Sequence, residues 1–105
     1  MPIDPRWAAL YPDDWKDISL RIRAQANQQC QWCGAPNGST VQRHDKDVVI
    51  VLTVAHLNHD PRDCSDDNLR ALCQRCHITY DKSPAQAARR RALRAELLDG
   101  QRSLF

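Results

Sequence analysis

Trp15, Ile18, Leu20, Ile22 and Ala26 recur at partly helical spacing behind Pro12-Asp13-Asp14, where an aspartate stands ready to cap, and they predict a helix over about 14–28. Ahead of it, residues 1–12, with their prolines and with Trp7, Leu10 and Tyr11, read as an extended lead-in packed on the body. Thr40 to His44 and Val48 to His56 flank Asp45-Lys46-Asp47. The second run is dense in β-branched residues and short for a helix, so the pair predicts a β-hairpin. The polar stretch from Asn58 to Asn68 is a loop, and Leu69 to Leu72 is a short strand. A helix follows from about 74 to Asp81 or Lys82. Ser83-Pro84 then restarts it as N-cap and first helical residue, and Ala- and Arg-rich sequence runs to about Leu98, where Gly100 stops it.

A chain of 105 residues is one domain, here divided into an N-terminal extension and helix (1–29), a core (30–82) and a C-terminal helix (83–105). With 42% hydrophobic and 27% charged residues it is too apolar for a disordered chain and too charged for a membrane protein. The start lacks the pattern of a secretion signal, so the expected compartment is the cytoplasm, where disulfides seldom persist. The net charge of +2 is unevenly spread: the segment from Lys82 to Arg102 carries six basic and two acidic residues, which makes it a basic arm on a slightly acidic body. Arg90, Arg91 and Arg94 fall on one arc of its helix.

In a reducing compartment paired cysteines point to a metal. Cys30-x-x-Cys33 and Cys73-x-x-Cys76 share one spacing, and each turn can place two thiolates on a tetrahedral ion. Together they predict a structural four-cysteine Zn²⁺ site, with the hairpin in the intervening sequence. Cys64 has no partner at useful spacing and reads as an ordinary loop cysteine.

His56 ends the apolar strand, Asn68 follows the polar loop, and His77 directly follows the second cysteine pair. In this order, wrapped around the cysteine pairs, the stretch Leu52-Thr-Val-Ala-His56-Leu-Asn-His-Asp-Pro61 and the run Asp66-Asp-Asn68-Leu-Arg-Ala-Leu-Cys73-Gln-Arg-Cys76-His77-Ile-Thr-Tyr-Asp81 resemble the HNH endonuclease family in its four-cysteine form, over roughly residues 28–82. The resemblance implies a small α+β domain with a ββα-metal clasp, a hairpin and a helix around a divalent ion, pinned by a zinc knuckle. The implied reaction is hydrolysis of DNA phosphodiester bonds with low sequence specificity. His56 would be the general base, Asn68 would tie down the loop that positions it, and His77 would hold the catalytic ion with Asp81, one helical turn on. Mg²⁺ or Mn²⁺ suits such a site, and His77 also admits Ni²⁺ or Co²⁺. Beside such a core, Arg90, Arg91 and Arg94 would hold DNA phosphates; no membrane and no small-molecule cofactor is expected.

One position departs from the family. The residue before the general base is usually a metal-binding Asp or His, and here it is Ala55. His59, Asp60 or Asn58 would have to replace it, with His59 carried as the third candidate ligand, or His77 and Asp81 would have to suffice. The alternative is a non-catalytic, zinc-stabilised module that binds DNA or, through Trp7, Tyr11 and Trp15, protein.

Overall fold

The computed structural model describes residues 5–99. The chain forms α1 (Pro5–Ala8), α2 (Trp15–Gln25), β1 (Thr40–Arg43), β2 (Lys46–Val49), β3 (Leu52–His56), β4 (Leu69–Cys73), α3 (Gln74–Lys82) and α4 (Pro84–Arg94), which widens into a π-helical turn over Ala95–Asp99. It is a small α+β domain with two antiparallel hairpins, β1–β2 and β3–β4. Among the described residues no helix is long and apolar enough to cross a membrane.

The central hairpin joins β3 to β4 with Leu52 opposite Cys73 and His56 opposite Leu69. Both strands are buried almost continuously, as expected where helices cover a strand pair on both sides. Ile22 of α2 joins Leu52, Val54, Leu69, Ala71 and Leu72 in the core, and Cys30 and Cys73 pack into the same cluster. The hairpin β1–β2 is mostly exposed.

Several predicted boundaries move. The lead-in is not wholly extended, since Pro5–Ala8 form one helical turn. Helix α2 ends at Gln25 because Asn27 and Gln28 both take positive φ, with the Asn27 N–H returning to the Ala24 carbonyl. The apolar run Val48–His56 is not one strand. It breaks at Ile50 and Val51, and its halves join different sheets. Ile50 turns inward, 1% exposed, while Val51 points outward. Side chains satisfy backbone groups at the break: the Gln74 amide accepts from Val51 N–H at 2.9 Å and donates to the Val49 carbonyl at 2.8 Å, and Asn37 Oδ1 accepts from Leu52 N–H. The first hairpin turns at His44-Asp45, both at positive φ, one residue earlier and one residue shorter than Asp45-Lys46-Asp47. Ser83 caps α4 through a bond from Gln86 N–H, with Pro84 at its start, as the sequence predicts. The predicted stop at Gly100, and Arg102 of the basic arm, lie outside the described residues.

Candidate functional site

The cysteine pairs meet at one end of the central hairpin. One sulfur from each of Cys30, Cys33, Cys73 and Cys76 lies within 4.8 Å of all the others, a set that could hold a metal ion such as zinc. The two motifs fold alike: Cys33 N–H points at Cys30 Sγ and Cys76 N–H at Cys73 Sγ, both at 3.5 Å. The first turn leaves through Gly34 at φ +79°, and the second becomes the start of α3, capped by Cys73 itself. Gln31 fastens the first turn to the strand edge, its amide accepting from Ala71 N–H and its own N–H donating to the Ala71 carbonyl. The thiols titrate unequally. Burial opposes the Cys30 thiolate, but backbone N–H groups of Cys73, Cys33 and Trp32 outweigh it and draw the pKa down to about 6. Burial and then the neighbouring thiols push Cys76 up. One anion in the cluster thus resists the next, a repulsion that a bound dication relieves.

The other end of the hairpin carries the histidines. His56, His59, His77, Asp81, Ala55 and Arg90 line one cavity of about 180 Å³, with Trp7 and Tyr11 completing its wall. His77 and Asp81 sit one turn apart on α3, with Nε2 to Oδ2 at 3.5 Å. The other ring nitrogen of His77 is 2.9 Å from Thr53 Oγ1, whose hydroxyl proton goes to the Leu72 carbonyl. Thr53 therefore accepts from His77 Nδ1–H, and the Nε2 lone pair is left facing the Asp81 carboxylate. His59 repeats the pattern. Its Nε2 donates to Gln86 Oε1 at 2.8 Å, which leaves Nδ1 facing Asp81 Oδ1 at 3.8 Å. Three acceptor groups thus converge with no hydrogen between them, an arrangement that a cation satisfies. Arg90 stands nearest, its guanidinium 3.6 Å from Asp81 Oδ2. Ligands held cis on one ion at ~2.1 Å are ~3 Å apart, a little closer than the 3.5 Å between His77 and Asp81, which could hold a small divalent ion. His59 approaches the other carboxylate oxygen, and among the described residues only the cysteines bring three or more ligand atoms mutually within 4.8 Å.

His56 is 8% exposed and stacks on Trp15, with ring centres 4.8 Å apart, while Tyr11 meets it edge-on. Burial lowers its pKa below the ordinary histidine value, against the opposing charges of Asp60 and Asp63, so a neutral imidazole faces the cavity wall at neutral pH. Its Nε2 lies 3.6 Å from Cys64 Sγ. Asn68 lies outside the cavity and works on the loop. It accepts from Asn58 N–H, donates to Asn58 Oδ1 and the Asp63 carbonyl, and its own carbonyl takes Leu57 N–H.

The structure thus brings together His56, His59, His77, Asp81 and Arg90 and places Asn68 behind them. Asn58 and Asp60 do not replace the ligand that Ala55 cannot supply: Asn58 is bound into the Asn68 network, and Asp60 is chelated by Arg62 at 2.8 and 3.0 Å. Arg91 and Arg94 line an adjoining cavity. Sequence reasoning missed Thr53, Gln86 and the aromatic wall, and it passed over Cys64, which touches His56. Tyr80 is half-buried; it donates to the Leu57 carbonyl and stacks on His59. The one available hint was the Thr53 hydroxyl among the apolar residues of β3, and it says nothing of its partner.

No family model matches the chain, and no solved structure matches it. The Zorya protein ZorE of Escherichia coli is 37% identical to it over 67 residues, which is 64% of this chain. The matched part is 16% of that relative's length.

Proposed function

We propose that the chain is a metal-dependent endonuclease of the HNH type that hydrolyses DNA phosphodiester bonds with low sequence specificity, on a scaffold stapled by a structural Zn²⁺ on Cys30, Cys33, Cys73 and Cys76. The observation that carries this reading is the cavity that gathers a buried, neutral His56 with His77 and Asp81, whose unshared lone pairs face each other. His77 and Asp81, with His59 at the second carboxylate oxygen, would hold Mg²⁺, Mn²⁺ or Ni²⁺; when bound, such an ion stabilises the crowded phosphate and the departing 3′ oxygen by direct charge. His56 takes a proton from the attacking water as the new oxygen–phosphorus bond forms. Trp15 and Tyr11 hold its ring, and Asn68 fixes the loop that follows it. Thr53 keeps the proton of His77 on Nδ1, away from the ion. Arg90, 3.6 Å from Asp81, would neutralise charge on the phosphate.

Supercoiled plasmid should be nicked in Mg²⁺, Mn²⁺ or Ni²⁺ and left intact in EDTA. The same chain with His56→Ala should leave the plasmid supercoiled. If wild type is inert with every divalent ion on single- and double-stranded DNA, the reading falls to a DNA-binding module, which Ala55 favours.

A further inference from the structure

A neutral imidazole carries its proton on one ring nitrogen and a lone pair on the other, and only the second can take a proton from water. Stacking on Trp15 and the edge-on contact with Tyr11 fix the plane of the His56 ring, but not which nitrogen is which. Among the described residues the ring makes one hydrogen-bond contact, at 3.6 Å between Nε2 and Cys64 Sγ. The direction of that contact follows from the next group along. Cys64 Sγ also lies 3.4 Å from the Pro61 carbonyl. Pro61 is fully buried, and among the described residues no other donor reaches its carbonyl. A carbonyl can only accept, and a buried one left unpaired costs its full desolvation. The thiol has a single hydrogen, and burial, reinforced by the charges of Asp63, Asp14 and Asp60, raises its pKa and keeps that hydrogen in place. The hydrogen therefore goes to Pro61. The sulfur turns only lone pairs toward His56, so Nε2 is the donor. Nδ1 has no partner, and among the described residues no fully buried side-chain nitrogen lacks one, so Nδ1 keeps access to solvent beside the cavity that His56 lines.

We propose that Cys64 is the positioning residue of His56: its sulfur receives Nε2–H, and Nδ1 is thereby the atom that accepts the proton of water in the histidine cavity. The chain of bonds runs from Nε2–H to sulfur and from the thiol hydrogen to the Pro61 carbonyl. It belongs to the loop that Asn68 ties down through Asn58 and the Asp63 carbonyl, so the same loop carries both the tether and the partner of the ring. Sulfur is a weak acceptor, so it selects the tautomer without raising the basicity of the ring as a carboxylate does. The use of Nδ1 in catalysis rests on the proposed function; the place of the proton is read without any bond being cleaved.

The test is NMR on the full chain with nitrogen-labelled histidine, at a pH above ~7 where the ring is neutral, with the His56 signals assigned by their loss in His56→Ala. Wild type should show a single neutral tautomer, protonated on Nε2, with that proton protected from exchange with water. Cys64→Ala should speed its exchange and bring up the form protonated on Nδ1. Cys64→Ser keeps one donor and one acceptor and should restore most of the wild-type pattern. In the plasmid assay, Cys64→Ala should lower the rate at saturating metal about fivefold, the worth of one neutral hydrogen bond, with DNA affinity unchanged and partial rescue by Cys64→Ser. A wild-type ring protonated on Nδ1 overturns the proposal without recourse to any variant, because the thiol is then the donor to Nε2. Unchanged tautomer and exchange in Cys64→Ala overturn it as well, and cleavage by that variant at the wild-type rate overturns its part in catalysis. If the tautomer pattern holds but no ion supports cleavage, the nuclease reading fails and the pairing of Cys64 with His56 stands.

Discussion

The central hairpin carries a different kind of site at each of its ends. At the Leu52–Cys73 end, four sulfurs come from two copies of one local motif and already lie within bonding reach of a common centre. At the His56–Leu69 end, each group comes from a different context and is aimed by a neutral partner: His77 by Thr53, His59 by Gln86, His56 by Trp15. Helix α3 connects them, starting at Cys73 and reaching Asp81 about 7.5 Å along its axis from Cys76. The cysteine end thus sets where α3 begins, and the hairpin and α3 together set the distance between His56 and His77. Under the proposed function, a metal at the first end would act on folding and one at the second on chemistry.

The largest effect should separate the two ends. Cys73→Ser, at a position 0% exposed, should abolish the cooperative melting transition and the bound zinc together, because structural zinc contributes ~10 kcal/mol or more to small domains. His77→Ala should leave zinc content and melting nearly unchanged. Metal analysis beside circular dichroism checks both, and a protein that stays folded after extensive chelation breaks the comparison at its stronger end.

Next comes His56. His56→Ala should lower cleavage by ~10²–10⁴-fold while DNA affinity and zinc content hold. The pH dependence has a definite sign. Burial lowers the folded-state pKa of His56 below its unfolded value near 6.5, so the neutral ring is favoured by folding. Its contribution to stability is complete above that value and is lost as pH falls through the lower folded pKa. The acid limb of cleavage should accordingly lie below pH 6.5. A midpoint above 6.5 assigned to His56 by NMR titration contradicts the burial argument.

What the sequence disclosed follows the same division. The cysteine cluster was legible because its ligands are two local repeats, and Ser83-Pro84 announced α4 for the same reason. His56, His77 and Asp81 were legible through the order of residues around those repeats. Thr53 meets His77 across 24 positions, and Trp15 meets His56 from another helix, so no local pattern marks either. The break in Val48–His56 was hidden because apolar residues continue through it; the Gln74 and Asn37 amides that satisfy its backbone come from distant positions. Helical spacing named Arg90, Arg91 and Arg94 as one face, but only the fold shows Arg90 turned toward Asp81 while it shares the next cavity with Arg91 and Arg94.

A smaller effect sharpens the histidine end. Thr53→Val keeps the shape of the side chain and removes the oxygen that receives His77 Nδ1–H. The ring is then free to carry its proton on Nε2, against the ion. Loss of such an outer partner typically weakens metal affinity 10–100-fold. The concentration of Mn²⁺ that half-saturates cleavage should rise by that factor while the rate at saturation changes little. An unchanged half-saturation would place the ion elsewhere than on His77.

The smallest effect concerns Ala55, which is 2% exposed and lines the histidine cavity beside His56. In Ala55→Asp, a carboxylate enters a site with no counter-charge of its own, since Arg90 is occupied by Asp81. Without an ion this should destabilise the fold by ~1–3 kcal/mol, as an unpaired buried polar group does. With Mg²⁺ the carboxylate becomes a further hard oxygen ligand, and the melting temperature should recover as the ion is added. Cleavage in Mg²⁺ should rise, by up to about tenfold if one good ligand adds about 1.4 kcal/mol of ion affinity. The two readouts test different links. Recovery of stability without a gain in cleavage means that His59 already completes the ion's ligands, and His59→Ala should then cost the wild type more than it costs Ala55→Asp. A carboxylate that destabilises the fold equally with and without Mg²⁺ means that no ion reaches this end of the hairpin. The contrast between a structural and a chemical metal then collapses to the cysteine cluster alone.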